Sequence, residues 1–329
     1  MFSLGGRKKK KKKMNKLLKK IAAVSLSAVL MLGLVSCNNA TKGESDNSSK
    51  ESVLIGEVSY PVTITDSFGK EVTLNEEPSK IISVAPNITE MIYKLGAEDK
   101  LVGRTNYCDY PEEVSSIESI GTLRKPDIEK IISLEPQLVI TSTHFDDENT
   151  AKLEAAGISV IALYEEFNVT GVYTMIETLG TALNKQDEAA KTVADMKSTI
   201  NKVEEAVEGL EEPTVYYVVQ YGESGDFSAP ENTFVGQLID MAGGNNIVPE
   251  QDSWSYSLEA LLEADPEIIV VRNGEKEGFE SLEAYKELTA VKEGNVYEID
   301  NNLIDRQGYR NAEGLLTLAK IFHPEAFEQ

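Results

Sequence analysis

The sequence predicts an α/β protein with two similar lobes, each a mostly parallel sheet flanked by helices, joined by one long α-helix. Three observations lead to this fold class. Strand-like and helix-like segments alternate in both halves of the chain, as they do around parallel sheets. A similar pattern occurs at 127–141 and again at 257–271, an offset of 130 residues. Between the two series, 170–210 has a helical pattern without a strand or a proline, interrupted at Leu183-Asn184.

The repeated pattern reads DIEKIISLEPQLVIT in the first half and SLEALLEADPEIIVV in the second. Each copy predicts a short amphipathic helix with Asp127 or Ser257 as its N-cap, ended by a proline and followed by a buried strand. Each copy also places a glutamate, Glu129 or Glu259, in the first helical turn. Helix–proline–strand units occur in any α/β protein, and a glutamate at that position suits the helix dipole. The shared offset favours duplicated lobes over that simpler explanation.

The predicted elements follow in chain order. The first lobe, 60–168, consists of a hairpin at 61–74, a strand at 80–84, a helix from Pro86 to Gly96, strands at 101–103 and 117–121, the first repeat copy, a helix at 146–156 and a strand at 158–163. The connecting helical segment is 169–211. The second lobe, 212–329, consists of a strand at 214–220, a helix at 231–242, a strand at 246–248, the second repeat copy, a helix at 281–288, a strand at 295–299 and a closing helix to Phe322.

Residues 1–36 predict a secretory signal, because basic residues precede an apolar run at 21–35 that is short for a bilayer span. Leu34-Val35-Ser36-Cys37 resembles the bacterial lipobox, in which the cysteine is lipidated and becomes the first mature residue. An ordinary signal peptide with a chance cysteine is the alternative, and either Met1 or Met14 is the start. The polar tract within 37–59 predicts a flexible tether. These features predict an extracytoplasmic protein anchored to the membrane by lipid.

The charge balance excludes nucleic acid as a partner. Residues 1–36 contain ten basic and no acidic side chains, which leaves 22 of the 32 Lys and Arg residues against 55 Asp and Glu, a net charge of −33. Such a surface repels nucleic acid and anionic lipid, so the lipid on Cys37 is the only predicted membrane contact. Cys108 is the one remaining thiol, and no Cys cluster or bound cofactor is expected. We expect a monomer.

Few residues in the sequence suit catalysis. The only histidines are His144 and His323, and the sequence lacks the nucleophile-elbow, phosphate-loop and zinc-helix motifs. A secreted hydrolase that uses His144 as a base near Asp146 and Asp147 is therefore the minority alternative, and a surface adhesin without a small ligand is a third possibility. The chain is not expected to be an enzyme.

The arginines indicate a ligand-binding cleft. After residue 36 there are 17 lysines but five arginines, and every arginine lies in or beside a loop that follows a predicted strand: Arg104, Arg124, Arg272, Arg306 and Arg310. Loops at the carboxyl ends of parallel strands line the ligand crevice of open α/β sheets. The same loops carry aromatic residues, Trp254 among them. Because the guanidinium fork binds carboxylate, phosphate and aromatic groups, the pattern predicts a bulky, partly anionic ligand between the lobes.

Together, PVTITDSFGKEVTL, IISVAPNITEMIYKLGAEDKLVGRTNYCDYPEEV, IGTLRKPDIEKIISLEPQLVITS and SLEALLEADPEIIVV resemble the class III solute-binding proteins of ABC importers. This family captures ferric siderophores, haem or cobalamin. The resemblance implies two lobes joined by a long helix, and partners that are an ABC permease and its ATPase. It also implies one exposed glutamate per lobe that docks on the permease, and these map onto Glu129 and Glu259.

The resemblance leaves the ligand open. The loop around Tyr107 and the position of Trp254 are similar to the corrinoid-binding branch, whereas Arg124, Arg306 and Arg310 fit an anionic ferric siderophore at least as well. In a haem-binding alternative His144 is an axial ligand. The candidate ligand-binding residues are Tyr107, Arg124, His144, Tyr221, Trp254, Arg272, Arg306 and Arg310.

Overall fold

The computed structural model describes residues 57–143, 145–165 and 167–328. The predicted signal peptide at 1–36, the predicted lipidation site Cys37 and nearly all of the predicted tether at 37–59 lie outside the described residues. Within the described ranges, no helix has the length and apolar character needed to cross a membrane.

The first half is built on a parallel four-stranded sheet. An antiparallel hairpin of β1 (Val62–Thr65) and β2 (Glu71–Leu74) precedes it. The sheet has the order β4-β3-β5-β6, and every neighbouring pair is parallel. Its strands and their flanking helices are β3 (Ile81–Ser83), α1 (Pro86–Lys94), β4 (Leu101–Arg104), α2 (Ile128–Ser133), β5 (Leu138–Thr141), α3 (Asp147–Ala155) and β6 (Ser159–Ala162).

Two consecutive helices connect the halves. Helix α4 (Val169–Leu183) ends at Asn184, which is left-handed with φ of 57°, and α5 (Gln186–Val207) follows. The break lies where the sequence predicts it, and the 22 residues of α5 span about 33 Å. The helices cross closely, because a Cβ added at Gly180 would lie 2.5 Å from the Ala189 Cβ. Helix α4 packs on β1 and α1, whereas α5 packs on α4 and on the closing helix of the second half.

The second half contains a mainly parallel sheet. Strands β11, β10 and β7 are parallel neighbours, the short β9 pairs in parallel with β7, and β8 is antiparallel to β7. The elements are β7 (Thr214–Gln220), β8 (Phe227–Ser228), α6 (Phe234–Met241), β9 (Asn245–Asn246), α7 (Leu258–Ala264), β10 (Ile268–Arg272), α8 (Lys276–Ser281), α9 (Thr289–Glu293), β11 (Val296–Ile299), α10 (Asn302–Asp305) and α11 (Asn311–Phe322). The predicted fold class is confirmed.

The two repeat copies adopt the same local structure. The Asp127 and Ser257 side chains cap α2 and α7, accepting hydrogen bonds from backbone N–H groups three residues later at 3.0 and 3.2 Å. Glu135 and Asp265, again 130 residues apart, both have positive φ, at 53° and 39°. Burial also repeats: the residue four after each cap and the proline are buried, and four buried positions begin β5 and β10.

Two predicted elements are wrong. At 117–121 the chain forms isolated bridges at Ser119 and Gly121 instead of the expected strand. Residues 282–288 form turns between α8 and α9 instead of the helix expected at 281–288. Tyr285 explains the difference, because its hydroxyl accepts from the Gly222 N–H at 2.8 Å and lies 2.6 Å from the Asp226 carboxylate. Its ring also stacks on Phe279 at a centroid distance of 4.4 Å. These tertiary contacts hold the segment in a conformation that its helical pattern does not indicate.

The repeat predicts how neighbouring substitutions differ in stability. Ile131 is fully buried against the first sheet, whereas Ile132 is exposed. We expect Ile131→Ala to lower the free energy of unfolding by about 2–5 kcal/mol, because it leaves a cavity. Ile132→Ala, the matched control, should change it by less than about 0.5 kcal/mol. Urea unfolding measures both, and equal losses would contradict the assigned helix face.

Candidate ligand-binding cleft

A cavity of about 620 Å³ lies between the two halves, a size typical of sites for small molecules. The first half contributes Tyr164 and Phe167 from the loop that follows β6. The second half contributes the remaining wall, largely from the ends of β7 and β10 and the start of α6: Val219, Asn232, Thr233, Phe234, Val235, Gln251, Asp252, Trp254, Arg272, Asp305 and Gln307. The cleft therefore lies where the carboxyl ends of parallel strands predict it.

Hydrogen bonds fix the loop that carries Trp254. Its backbone carbonyl accepts a hydrogen bond from Ser228 N on β8 at 2.9 Å. The Gln251 side-chain amide donates to the carbonyls of Ser253 and Ser255, at 2.6 and 3.2 Å. The loop is thus fixed on both sides of the indole, which itself stays 39% exposed. A large aromatic surface fixed at a cleft wall suits stacking against a planar ligand.

Arg272 is the one guanidinium that lines the cavity among the described residues, and it is paired. Its Nη2 lies 3.3 Å from Asp305 Oδ2. Asp305 also accepts hydrogen bonds from the Tyr217 hydroxyl at 3.1 Å and from the Asn301 amide at 3.0 Å. Tyr217 is fully buried, and burial raises the pKa of its hydroxyl well above the ordinary value. Neutral Tyr217 therefore donates to Asp305, which in turn orients Arg272 toward the cleft.

The balance of charge in the cavity is slightly negative. Arg272 and Asp305 compensate each other, and the Asp252 carboxylate also lines the wall. The other lining groups are aromatic, aliphatic, amide or hydroxyl side chains. Because a compact anion needs several donors or cations, this wall is better suited to a bulky ligand with little net charge.

Arg306 joins the two halves instead of lining the cavity. Its Nη1 donates to Glu90 on α1 at 2.7 Å and to Asp109 in the loop after β4 at 2.8 Å. Glu90 is nearly inaccessible, with 5% of its side chain exposed. Burial raises the pKa of Glu90, although the hydrogen bonds and charges of the neighbouring arginines act in the opposite direction. A buried carboxylate of this kind depends on its cationic partners.

Arg310 and its neighbours extend the same contact. Arg310 lies 3.6 Å from Glu90 and 3.0 Å from Asp300, and its guanidinium lies 4.2 Å from the centre of the Tyr110 ring. The Gln307 carbonyl accepts from the Asn87 amide at 3.0 Å. Lys94 lies 5.1 Å from the Tyr309 ring. Residues 306–310, named the joint segment here, therefore contact α1 and the loop after β4 along most of their length.

The predicted ligand-binding residues separate into distinct groups. Trp254 and Arg272 line the cavity, whereas Arg306 and Arg310 lie between the halves with their guanidinium groups on protein carboxylates. Tyr107 and Arg124 are exposed on loops and do not line this cavity. Tyr221 is half-buried and packs edge-on against Phe279 at 5.2 Å, at the side of the second half's own core. His144 lies outside the described residues.

Sequence reasoning missed most of the cavity wall. Tyr164 and Phe167 follow the predicted strand at 158–163, so the rule that placed arginines and aromatics at strand ends applies to them equally. Thr233 was recognisable as a helix cap, because a Thr directly before an apolar helix is a typical N-cap. Asn232 is its neighbour in the chain. Thr233 caps α6, accepting from Gly236 N at 3.1 Å. Asp305 and Gln307 flank an arginine that the sequence did single out.

Glu129 and Glu259 are both exposed in the first turns of α2 and α7. The start of α2 lies at the carboxyl end of the first sheet, because Asp127 N donates to the Ile120 carbonyl and neighbouring Ser119 pairs with Arg104 at the end of β4. The start of α7 has the equivalent place. Just before it, Ser255 pairs with Phe227, which pairs with the last residue of β7.

The chain belongs to the periplasmic binding protein family, whose model matches residues 81–303. An uncharacterised ABC transporter substrate-binding lipoprotein of Bacillus subtilis is 31% identical over 94% of this chain and 98% of its own length. A cobalamin-binding protein of Halobacterium salinarum is 27% identical over 80% of this chain and 75% of its own. The predicted family resemblance is confirmed, as is the prediction of a binding protein rather than an enzyme.

A solved structure shares the fold. The periplasmic haem-binding protein RhuT from Roseiflexus sp. RS-1, in its apo form, superposes with a TM-score of 0.67 at 24% identity. The match covers 75% of this chain and 99% of that one. At this identity the similarity extends to the two-lobed architecture alone.

The buried ion pairs of the joint segment lead to a stability prediction. Glu90→Ala should lower the free energy of unfolding by about 3 kcal/mol, because it leaves two partly buried guanidinium groups short of a partner. Glu98→Ala removes an exposed carboxylate just beyond α1, so it should change stability by less than about 0.5 kcal/mol. Chemical unfolding of the two variants measures the difference. A Glu90→Ala protein as stable as the control would contradict the structural role of the pair.

Proposed function

We propose that this protein is the extracytoplasmic receptor of an ABC importer and that its ligand is a corrinoid of the cobalamin type. The observation that carries the ligand class is the cleft wall, which combines aromatic and amide side chains with a single, already paired guanidinium. A corrinoid is a bulky metal chelate with a planar macrocycle and many peripheral amides, and its cationic centre and phosphodiester nearly cancel. Such a ligand needs stacking surfaces and hydrogen-bonding groups more than a cluster of cations.

The positions of the arginines argue against a strongly anionic ferric siderophore. In the sequence, Arg124, Arg306 and Arg310 fit that ligand at least as well as a corrinoid. Arg306 and Arg310 are instead engaged by Glu90, Asp109 and Asp300. An anionic chelate would therefore have to displace buried protein carboxylates before it reached these donors, at a free-energy cost. A corrinoid requires no such displacement.

The amides and aromatics supply what a corrinoid needs. Asn232, Gln251 and Gln307 line the cavity with groups that both donate and accept hydrogen bonds. Trp254 and Phe234 from the second half face the same cavity as Tyr164 and Phe167 from the first. Burial of a macrocycle between these aromatic surfaces provides affinity without a large closure of the lobes. The cobalamin-binding relative, similar over most of both chains, supports the same ligand class.

Haem is the second candidate, and one feature of the cleft favours it. The Tyr164 side chain lines the cavity, and a tyrosine oxygen is an axial ligand of haem iron in proteins. The two propionates of haem, however, would meet a wall whose guanidinium is already paired and whose remaining charged groups are acidic.

Delivery requires an anchor and a docking surface. We assign the anchor to the lipid on Cys37 and the docking contacts to Glu129 and Glu259, with the ABC permease and its ATPase as partners. The relative described as a substrate-binding lipoprotein of an ABC transporter covers 94% of this chain, which supports both assignments. Exposed carboxylates at equivalent points of duplicated lobes suit a partner with two equivalent binding points.

The ligand prediction is tested by calorimetric titration with cyanocobalamin, haemin, ferric citrate and a ferric hydroxamate. We expect submicromolar affinity for cyanocobalamin and affinities at least tenfold weaker for the other three. Trp254→Ala should weaken cyanocobalamin binding at least tenfold, since it removes a stacking surface. Tyr297→Ala is the matched control, because Tyr297 has the same exposure as Trp254, 37% against 39%, but lies on β11 away from the cavity. Tighter binding of haemin or of a ferric chelate would contradict the corrinoid assignment.

The docking prediction separates binding from transport. Glu129→Gln combined with Glu259→Gln should leave ligand affinity within twofold of the wild type and reduce cellular uptake of labelled cyanocobalamin at least tenfold. Asp147→Asn combined with Glu277→Gln is the control, since these exposed acids also lie in first helical turns, one in each half. The control should transport normally. Weaker ligand binding in the first double variant would show that the glutamates act on the cleft.

A further inference from the structure

The repeat also places an exposed aliphatic side chain at the same point of each lobe. In the part of the chain that the structure describes, four large aliphatic side chains are exposed: Ile132, Leu210, Leu262 and Leu282, at 38%, 38%, 39% and 38%. Single exposed aliphatics are ordinary on protein surfaces. Ile132 and Leu262, however, are 130 residues apart, the offset of the repeat, and their exposures agree within one percentage point. Equivalent exposure at equivalent positions of the two repeat copies calls for a common cause.

The fold supplies no such cause. In each repeat helix the preceding residue, Ile131 or Leu261, is fully buried and packs the helix on its sheet. A polar residue at the next position would satisfy the local structure equally well, and the amphipathic pattern of a surface helix favours one there. The exposed aliphatic is therefore not explained by the packing of either lobe.

Each exposed aliphatic lies beside the repeat's glutamate. Glu129 and Ile132 are three residues apart on α2, as are Glu259 and Leu262 on α7. Side chains at this spacing are neighbours on one side of a helix, about 5–6 Å apart. Both helices begin at the carboxyl end of their own sheet, so each half presents one carboxylate and one aliphatic group as an adjacent pair at an equivalent site.

We propose that Glu129 with Ile132, and Glu259 with Leu262, form two two-part contacts with a membrane-embedded partner that has two equivalent sites. Each site of the partner carries a basic side chain next to an apolar depression. This inference rests on the proposed function and identifies the chemistry of its docking surface. The acidic protein, with a sequence pI near 4.6, is complementary to a basic site. A purely electrostatic contact would require the basic side chain but not the apolar depression.

The two parts of each contact have different kinetic roles. Exposed carboxylates steer a charged partner and fix its orientation, so their removal chiefly slows association. An apolar group buried in the complex must be returned to water before the partners separate, so its removal chiefly speeds dissociation. Removal of the glutamate is therefore expected to change mainly the association rate, and removal of the aliphatic side chain mainly the dissociation rate.

The test uses the full chain and the permease–ATPase complex that restores cyanocobalamin uptake with it in a transport-deficient host, purified in lipid nanodiscs. Association and dissociation are followed by surface plasmon resonance. We expect Ile132→Ser combined with Leu262→Ser to raise the dissociation rate at least tenfold and to leave the association rate within twofold. Glu129→Gln combined with Glu259→Gln should slow association and weaken its salt dependence.

Leu210→Ser combined with Leu282→Ser is the matched control, because it removes the same aliphatic exposure elsewhere on the molecule. Its rates should stay within twofold of the wild type. A wild-type dissociation rate for the Ile132 and Leu262 variant, with the glutamate variant impaired, would overturn the two-part contact while the proposed function stands. Equal acceleration by the control pair would also overturn it. No binding of the wild-type protein to the complex would instead overturn the proposed function itself.

Discussion

The contact between the joint segment and the first half depends on one buried carboxylate. Glu90 extends from α1 of the first half and receives Arg306 and Arg310 from the second. An ionised carboxylate with 5% of its side chain exposed is costly unless it is paired and hydrogen-bonded. Two guanidinium groups meet that requirement, and both belong to the joint segment. The helices α4 and α5 connect the halves covalently. The ion-pair cluster holds the joint segment of the second half against α1 of the first half.

The same cluster defines the chemistry of the cleft. Asp305 and Gln307 line the cavity and flank Arg306 in the chain, so anchoring Arg306 on Glu90 and Asp109 also positions part of the cavity wall. The cluster also engages the guanidinium groups of Arg306 and Arg310, so they are not free to bind a ligand in the cavity. The cleft keeps one guanidinium, held by Asp305, among aromatic and amide groups. A single structural contact therefore both shapes the cavity and favours a bulky ligand of low net charge.

The duplicated units show which features the two lobes share and which they do not. Helix caps, the left-handed residue after each helix and the buried strand recur at the repeat offset. So do the exposed glutamate and aliphatic residue. The cleft side differs, because Tyr164 and Phe167 represent the first half whereas most of the wall comes from the second. The exposed residues of the repeat are equivalent in the two lobes, whereas the cavity wall is asymmetric. This arrangement fits the proposed function, in which a partner contacts both lobes alike and a ligand occupies one cavity.

Local structure was determined by the sequence alone, because helix caps, helix periods and strand runs depend on residues only a few positions apart. Asp127, Ser257 and the break at Asn184 were predictable for this reason, and so was the fold class built from them. The tertiary structure decided the partners of the arginines, since Arg306 meets a carboxylate 216 residues away in the chain. It likewise decided that Tyr285 holds 282–288 in turns and that Tyr221 packs against the core of the second half. No short-range pattern encodes contacts of that range, because they exist only once the two halves have packed together.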